Sequence, residues 1–164
     1  MKGERKGFGV GRHEQRFEGL EADAYKPGRK PAGPARCRGC GAVYKRGRWT
    51  WGTAGEGARA TWCPACQRAR QGMPAGFVRI EGDYQREHRD DIVRRVRRCE
   101  AAEMRLHPLQ RIIAVQPEGA ALLVTTTDSH LARRIGEALV KSYKGSAEYR
   151  YAKEDNLLRV AWRR

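Results

Sequence analysis

The chain has 164 residues, enough for one full domain or for a small module followed by a compact domain. Its 34 lysines and arginines outnumber 19 aspartates and glutamates, which gives a formal net charge of +15 and predicts an acidic partner. No stretch approaches the roughly 20 apolar residues of a membrane span, and the basic start lacks the apolar core of a signal peptide. We therefore expect a cytoplasmic protein with no membrane partner and no small-molecule substrate.

Residues 1–35 are polar, rich in Gly, Lys, Arg and Pro, and without helical or strand periodicity. Such a segment buries too little apolar area to offset the entropy lost on ordering. We predict a disordered basic arm.

Residues 36–75 form a separate module with two CxxC pairs, and 22 residues lie between the pairs. Each pair can turn tightly and point two thiolates at one ion, and a hairpin around the glycine-rich residues 52–58 can bring the pairs together. Gly41 suits the positive φ after the second cysteine, and Pro64 presets the turn after the third. The predicted metal ligands are Cys37, Cys40, Cys63 and Cys66.

One structural zinc ion is the predicted cofactor, so the module is a four-cysteine zinc ribbon. Four thiolates leave no open coordination position for water, and a module of about 40 residues needs a crosslink such as a bound metal to be stable. Paired disulfides, a rubredoxin-like iron site and a redox CxxC are the alternatives, and a reducing cytoplasm disfavours the first. Cys99 lies on an apolar helix stripe and is predicted to be a core residue outside the site.

Residues 76–164 have the periodicity of an α+β domain. Strands are predicted at residues 76–82, 110–116, 121–127, 146–152 and 157–163, and helices at residues 83–108 and 128–145. The βαββαββ order predicts an antiparallel or mixed sheet with both helices on one face, similar to a ferredoxin-like split βαβ with an extra strand. Thr127 or Asp128 is the predicted N-cap of the second helix, and Gly145 its C-terminal end.

The predicted elements have apolar and charged faces. The buried stripe of the first helix is predicted to contain Ile92, Val96, Cys99 and Leu106, and that of the second Leu131, Ile135, Leu139 and Tyr143. The opposite face of the first helix is nearly all arginine, more than solubility needs, so phosphate contact and a solvated charged face are both open interpretations. In the last strand, Leu158, Val160 and Trp162 alternate with Arg159, Ala161 and Arg163.

Basic and aromatic residues also surround the cysteine pairs. A hairpin with so little core cannot easily bury three tryptophans, so at least one is expected to stack on a base or to cover the domain junction. Trp62 is instead expected to pack against the hairpin or against the second domain. The predicted RNA-binding residues are Arg36, Arg38, Lys45, Arg46, Arg48, Trp49, Trp51, Arg94, Arg97, Arg98 and Arg105.

Together with the cysteine pairs, the segments "HPLQRI", "VTTTDSHLARRIGEAL" and "LLRVAW" resemble an uncharacterised bacterial zinc-ribbon family. That family is similar to the amino-terminal part of the nonsense-mediated-decay protein three family, which bears zinc-binding cysteines and acts on the large ribosomal subunit. The resemblance covers residues 36–164 and implies zinc on the four cysteines named above. This chain has only two CxxC pairs and lacks the later β-rich domains of that family, so the resemblance implies ribosome or RNA association and not the export-adaptor role.

No enzyme site is predicted. His88, His107 and His130 are scattered, Asp128 is accounted for as a helix cap, and the carboxylates near residue 90 lie beside arginines that can pair with them. We therefore expect a non-enzymatic zinc-binding protein that associates with the ribosome or structured rRNA through basic and aromatic surfaces. The alternative is a zinc-ribbon protein-interaction module or transcription regulator that docks on an acidic partner. A third, weaker reading is a DNA-binding transcription factor, although no recognition helix is evident.

Overall fold

A computed structural model of the protein describes residues 29–152 and 156–164. The described residues form nine strands and four helices, with the strands divided between two sheets. Most of the predicted N-terminal arm, residues 1–28, lies outside the described residues. None of the described helices is long and apolar enough to cross a membrane.

The small sheet consists of four strands of three residues each, β1 (Ala35–Cys37), β2 (Val43–Lys45), β3 (Arg48–Thr50) and β4 (Arg59–Thr61). Their order is β3-β2-β1-β4. β2 and β3 form an antiparallel hairpin that turns at Arg46 and Gly47, and both of these residues have positive φ, as a two-residue hairpin turn requires. Helix α1 (Pro64–Gln71) follows β4.

The predicted hairpin around residues 52–58 is wrong. β4 pairs in parallel with β1 and not with β3, so the glycine-rich segment crosses from one edge of the small sheet to the other. A tight turn at Arg46 and Gly47 already closes the hairpin, which leaves the longer glycine-rich segment free for the crossover.

The large sheet contains β5 (Gly76–Glu81), β6 (Ile112–Glu118), β7 (Ala121–Thr126), β8 (Ser146–Ala152) and β9 (Leu157–Arg163), in the order β6-β7-β5-β9-β8. β5 and β9 are parallel and the other neighbours antiparallel, so the sheet is mixed. A ferredoxin-like sheet would place the strand after the second long helix beside β5. Here that strand, β8, lies at the edge and β9 takes its place. The α+β class is confirmed, but the ferredoxin-like order is not.

Three helices belong to the large sheet: α2 (Asp83–Glu87), α3 (Arg89–Met104) and α4 (Ser129–Tyr143). The single helix predicted over residues 83–108 divides at His88, where φ of −120° and ψ of 30° leave the helical region. It also ends at Met104, so helical spacing no longer places Leu106 on the core face, and that side chain is 78% exposed. The prediction that Leu106 is buried is wrong.

The core of the large unit lies between α3, α4 and one face of the sheet. Ile92 and Val96 of α3 and the predicted stripe of α4 meet Leu158, Val160 and Trp162 of β9. Burial of one such side chain contributes about 1.5–3 kcal/mol to stability, before the entropy of ordering is subtracted. The alternation predicted for the last strand is confirmed. Asp128 caps α4, as its carboxylate accepts the amide hydrogens of His130 and Leu131.

Charged residues pair on the opposite face of the large sheet. Arg79 of β5 forms ion pairs with Glu81 and Glu118, and Arg163 of β9 donates to the other carboxylate oxygen of Glu81 at 2.9 Å. Arg79 and Glu81 are both buried. The charged face predicted for the last strand is therefore partly neutralised by carboxylates of neighbouring strands.

Candidate metal centre

Four cysteine sulfurs meet where the small sheet contacts the large unit. The Sγ atoms of Cys37, Cys40, Cys63 and Cys66 all lie within 4.8 Å of one another. Those of Cys40 and Cys63 are 3.7 Å apart, far beyond a disulfide bond and close to the edge of about 3.8 Å expected for a tetrahedron of 2.3 Å zinc–sulfur bonds. All five cysteines of the chain are free. The four clustered cysteines are positioned to bind one metal ion.

The first pair lies in a tight turn at the end of β1. The Cys37 amide donates to the Ala42 carbonyl at 2.8 Å, and the Gly41 amide donates to the Cys37 carbonyl at 3.1 Å. Gly41 has the predicted positive φ, 77°. Gly39 is required for a different reason, because a Cβ there would lie 2.7 Å from Cys66 Sγ and 2.8 Å from the Trp62 ring. The glycine between the two cysteines is the only signal of this constraint in the sequence.

The second pair begins helix α1 and does not form a second free turn. Cys63 is the N-cap and Pro64 follows at the first helical position, where a missing N–H costs nothing. The Cys66 amide donates to Cys63 Sγ at 3.4 Å. The first turn of α1 therefore places the Cys63 and Cys66 side chains together at the N-terminal end of one helix.

Backbone amides and burial act on the sulfurs in opposite directions. Burial disfavours the Cys37 thiolate, but the amides of Cys40, Cys63 and Gly39 outweigh it and lower the Cys37 pKa to about 6. For Cys40 and Cys63, burial raises the pKa and the other cluster sulfurs add to the rise. Four adjacent thiolates therefore need a compensating cation, which a bound metal ion supplies.

Arg111 reaches this cluster from the large unit. Its terminal nitrogen lies 3.0 Å from Cys66 Sγ and 3.7 Å from Cys63 Sγ, and the nearby Leu109 packs against the buried cluster that contains these cysteines. Burial opposes the charge of Arg111, but the hydrogen bond to Cys66 and the attraction of the nearby sulfurs raise its pKa. Nothing in the spacing of the sequence predicts this contact, which joins residues 45 positions apart.

The three tryptophans of the small unit have different environments. Trp49 is half-buried against the cysteine cluster, with its ring 5.4 Å from that of Tyr44. Trp62 also packs on the cluster, and the Arg70 guanidinium lies 4.0 Å above its ring. Trp51 is 38% exposed and donates its indole N–H to the Met104 carbonyl at 2.7 Å. Trp51 therefore covers the junction between the hairpin and the end of α3.

The predicted RNA-binding arginines and lysine fall into three groups. Arg36, Arg38, Lys45, Arg46 and Arg48 are exposed on the small sheet or its turns and form no ion pair among the described residues. On α3, Arg94 pairs with Asp91 and Arg97 pairs with Glu100. Arg98 and Arg105 are exposed and make no ion pair within the described part of the chain.

The fifth cysteine and two of the histidines considered above lie away from the cysteine cluster. Cys99 is half-buried against the core of the large unit, and burial raises its pKa. The His88 ring packs on the Tyr84 ring with centroids 4.1 Å apart, and the His130 amide binds the Asp128 cap.

Comparison of the chain with protein families, with curated proteins and with solved structures finds no match. The cysteine cluster and the surface charge of the chain are therefore the features that bear on its function.

Proposed function

We propose that this is a non-enzymatic zinc-binding protein that associates with the ribosome or with structured ribosomal RNA through the basic surface of its small sheet. The observation that carries the proposal is the pairing of a four-sulfur cluster with exposed cationic side chains on the same small unit. The cluster supports the inference of a bound metal, and the cationic side chains support the inference of an acidic partner.

Zinc suits the cluster better than other metals. Four sulfur ligands at tetrahedral spacing favour zinc or iron, and zinc is the usual ion of closed four-cysteine sites in small modules. When bound, the ion supplies a structural crosslink and leaves no open coordination position for a reacting water. In small zinc-binding peptides such an ion contributes about 10–16 kcal/mol of apparent binding energy to folding.

One face of the small sheet is basic. Arg36 on β1 is opposite Val43 on β2, and Lys45 on β2 is opposite Arg48 on β3, so Arg36, Lys45 and Arg48 point away from the face that carries Tyr44 and Trp49. We call these three residues the basic face. Between residues 29 and 75 the chain has ten lysines and arginines and one acidic residue, Glu56. Without carboxylate partners among the described residues, the basic face is available to phosphates.

Helix α3 extends this surface. Trp51 binds the carbonyl of Met104, so Arg105 lies close to the hairpin, and Arg98 is on the same helical face. Arg94 is held by Asp91 in an exposed pair, which is worth only about 0–1 kcal/mol and exchanges easily for a phosphate, and the exposed Arg97 pairs with the half-buried Glu100. The basic face and the end of α3 can therefore contact one folded RNA.

The ribosome as the specific partner comes from the resemblance to the ribosome-acting family described above. That family carries zinc on cysteines matching Cys37, Cys40, Cys63 and Cys66. The resemblance supports ribosomal RNA over other nucleic acids, and the charge of the chain supports an acidic partner of any kind.

Co-sedimentation of zinc-loaded protein with ribosomes tests the proposal. We expect the protein in the ribosome pellet at about 50 mM salt and largely in the supernatant at about 200 mM, since six to ten phosphate contacts lose about 10³–10⁵ in affinity over that range. Nuclease digestion of the rRNA should also release it. Absence from the pellet at low salt contradicts the proposal, and retention of a partner through nuclease and high salt supports the protein-docking alternative instead.

A further inference from the structure

Arg111 is held in position by hydrogen bonds that do not involve the metal centre. The buried Thr127 donates its hydroxyl to the Leu109 carbonyl at 2.6 Å and accepts the Arg111 amide hydrogen at 2.9 Å. The Thr127 amide donates to the Arg111 carbonyl at 2.8 Å. On the other side, the Glu100 carboxylate accepts the amide hydrogen of Ile112 at 2.6 Å. The backbone of the segment that carries Arg111 is therefore held by contacts that do not involve the sulfurs.

The Arg111 side chain has one strong set of partners. Its terminal nitrogen contacts Cys66 Sγ and Cys63 Sγ, while its Nε is buried without a hydrogen-bond partner among the described residues. A buried guanidinium with an unsatisfied N–H is unfavourable unless a nearby negative charge compensates for it. Four cysteine thiolates around a divalent cation carry a net charge of −2, which supplies that compensation.

We propose that Arg111 is a positioning residue of the metal centre: its guanidinium holds Cys66 and Cys63 as metal-bound thiolates and thereby ties metal occupancy to the docking of the small sheet on the large unit. The inference rests on the metal site of the proposed function and is independent of RNA binding. Because Thr127 orients the segment of Arg111, part of the "VTTTDSHL" segment acquires a role at the metal centre.

Three features of the junction agree with this coupling. Leu109 packs on the cysteine cluster, Arg111 binds two of its sulfurs, and Trp51 binds the end of α3. Two of the three contacts involve the metal centre directly. A change in the charge of the cluster therefore alters the contact between the two units.

The rate at which zinc passes from the protein to a chromogenic chelator tests the role of Arg111. Arg111→Met keeps an unbranched apolar stem but removes the charge and the donors of the side chain, and we expect zinc affinity about 10–100-fold weaker with correspondingly faster release, the usual cost of losing an outer-shell partner. Arg111→Lys should recover part of the loss because it keeps the charge. Arg70→Met is the matched control, since it removes a positive charge from α1 beside Trp62 but touches no cysteine sulfur.

Cobalt substitution adds a signal that a merely structural role would not change. A donor on a thiolate lowers the energy of the sulfur electrons, so its loss in Arg111→Met should move the sulfur-to-cobalt charge-transfer band to lower energy. Thr127→Val should accelerate zinc release too, and its effect should be smaller in the Arg111→Met background. If Arg111→Met does not fold, Arg111→Lys and Thr127→Val still carry the test.

The possible failures are distinguishable. Wild-type protein that binds no metal would overturn the proposed function and this inference together. A different result would overturn the role of Arg111 alone. In that case the wild-type protein holds zinc, but the zinc release rate and the charge-transfer band are the same in every Arg111 and Thr127 variant as in wild type.

Discussion

At the residue scale, the arrangement of the four cysteine sulfurs depends on single atoms of neighbouring residues. Gly39 leaves room for Cys66 Sγ and the Trp62 ring, and the amides of Gly39 and Cys63 donate to Cys37 Sγ at 3.4 and 3.3 Å. Hydrogen bonds to a charged group are stronger than neutral ones, at about 1.5–3 kcal/mol each. The centre therefore depends on residues that are not ligands.

Gly39→Ala tests this dependence. The added methyl group would overlap Cys66 Sγ, so we expect weaker zinc binding and a less stable small sheet, by about 1–3 kcal/mol as for other overpacked sites. Competition with a chelator of known affinity measures the change. Gly55→Ala is the control, because a Cβ at Gly55 meets nothing within 4 Å. Equal zinc affinity in the two variants would contradict the steric account.

Cys99 should be a poor nucleophile at neutral pH. Burial raises its pKa, so its thiolate fraction at about pH 8 is smaller than that of an ordinary cysteine and grows only at more alkaline pH. Alkylation of the zinc-loaded protein by iodoacetamide, followed by intact mass, should be slow at about pH 8 and still accelerating above about pH 9. A rate that levels off by about pH 8 would show that the pKa of the Cys99 thiol is not raised.

At the element scale, we expect each short element of the small unit to depend on a metal ion bound by the four cysteines. Strands of three residues and a helix of eight are too short to be stable alone, and the buried residues around the cluster are the cysteines themselves with Ala42 and Ala65. We expect a metal ion bound by the four cysteines to take the place of a larger apolar core. The large unit, in contrast, has its own core between two helices and a sheet.

Cys63→Ser tests the role of Cys63 as a metal ligand separately from its role as the N-cap of α1. Serine is a good N-cap, so the helix start is preserved while one of four ligands is lost. We expect zinc content to fall well below one per chain and the small sheet to unfold, as seen in amide resonances or near-ultraviolet circular dichroism. Cys99→Ser should keep one zinc per chain, and loss of zinc from that variant instead would mean that the ligand set is wrong.

Local patterns were enough to predict much of the fold. The clustering of the four cysteines follows from their paired spacing, and the cap of α4 at one of its two candidates, Asp128, the five strands of the large sheet and the core residues of β9 depend on nearby sequence. The parallel pairing of β4 with β1, the order of β8 and β9, and the contact of Arg111 with Cys66 join distant positions, and one sequence holds no signal for them. Leu106 was misplaced because periodicity does not show that α3 ends at Met104.

At the scale of the whole molecule, the two units should respond differently to loss of the metal. The contacts of Arg111 and Leu109 with the cysteines cross the junction, whereas the core of the large unit does not reach the cluster. We expect a strong chelator to expose the amides of β1, β2 and β4 to rapid hydrogen exchange while those of β5, β7 and β9 stay protected. Simultaneous loss of protection in both sheets would contradict this independence.

The salt dependence of RNA binding tests the central claim most directly. We would measure the affinity of zinc-loaded protein for a structured rRNA fragment across salt concentrations and compare a variant in which Arg36, Lys45 and Arg48 are all glutamine. A control variant with glutamine at the exposed Arg86, Arg89 and Arg133 loses the same charge from the large unit. Loss of three phosphate contacts should reduce the slope of log affinity against log salt by about two to three in the first variant only. A slope unchanged from wild type, or reduced equally in both variants, would contradict an RNA interface on the basic face.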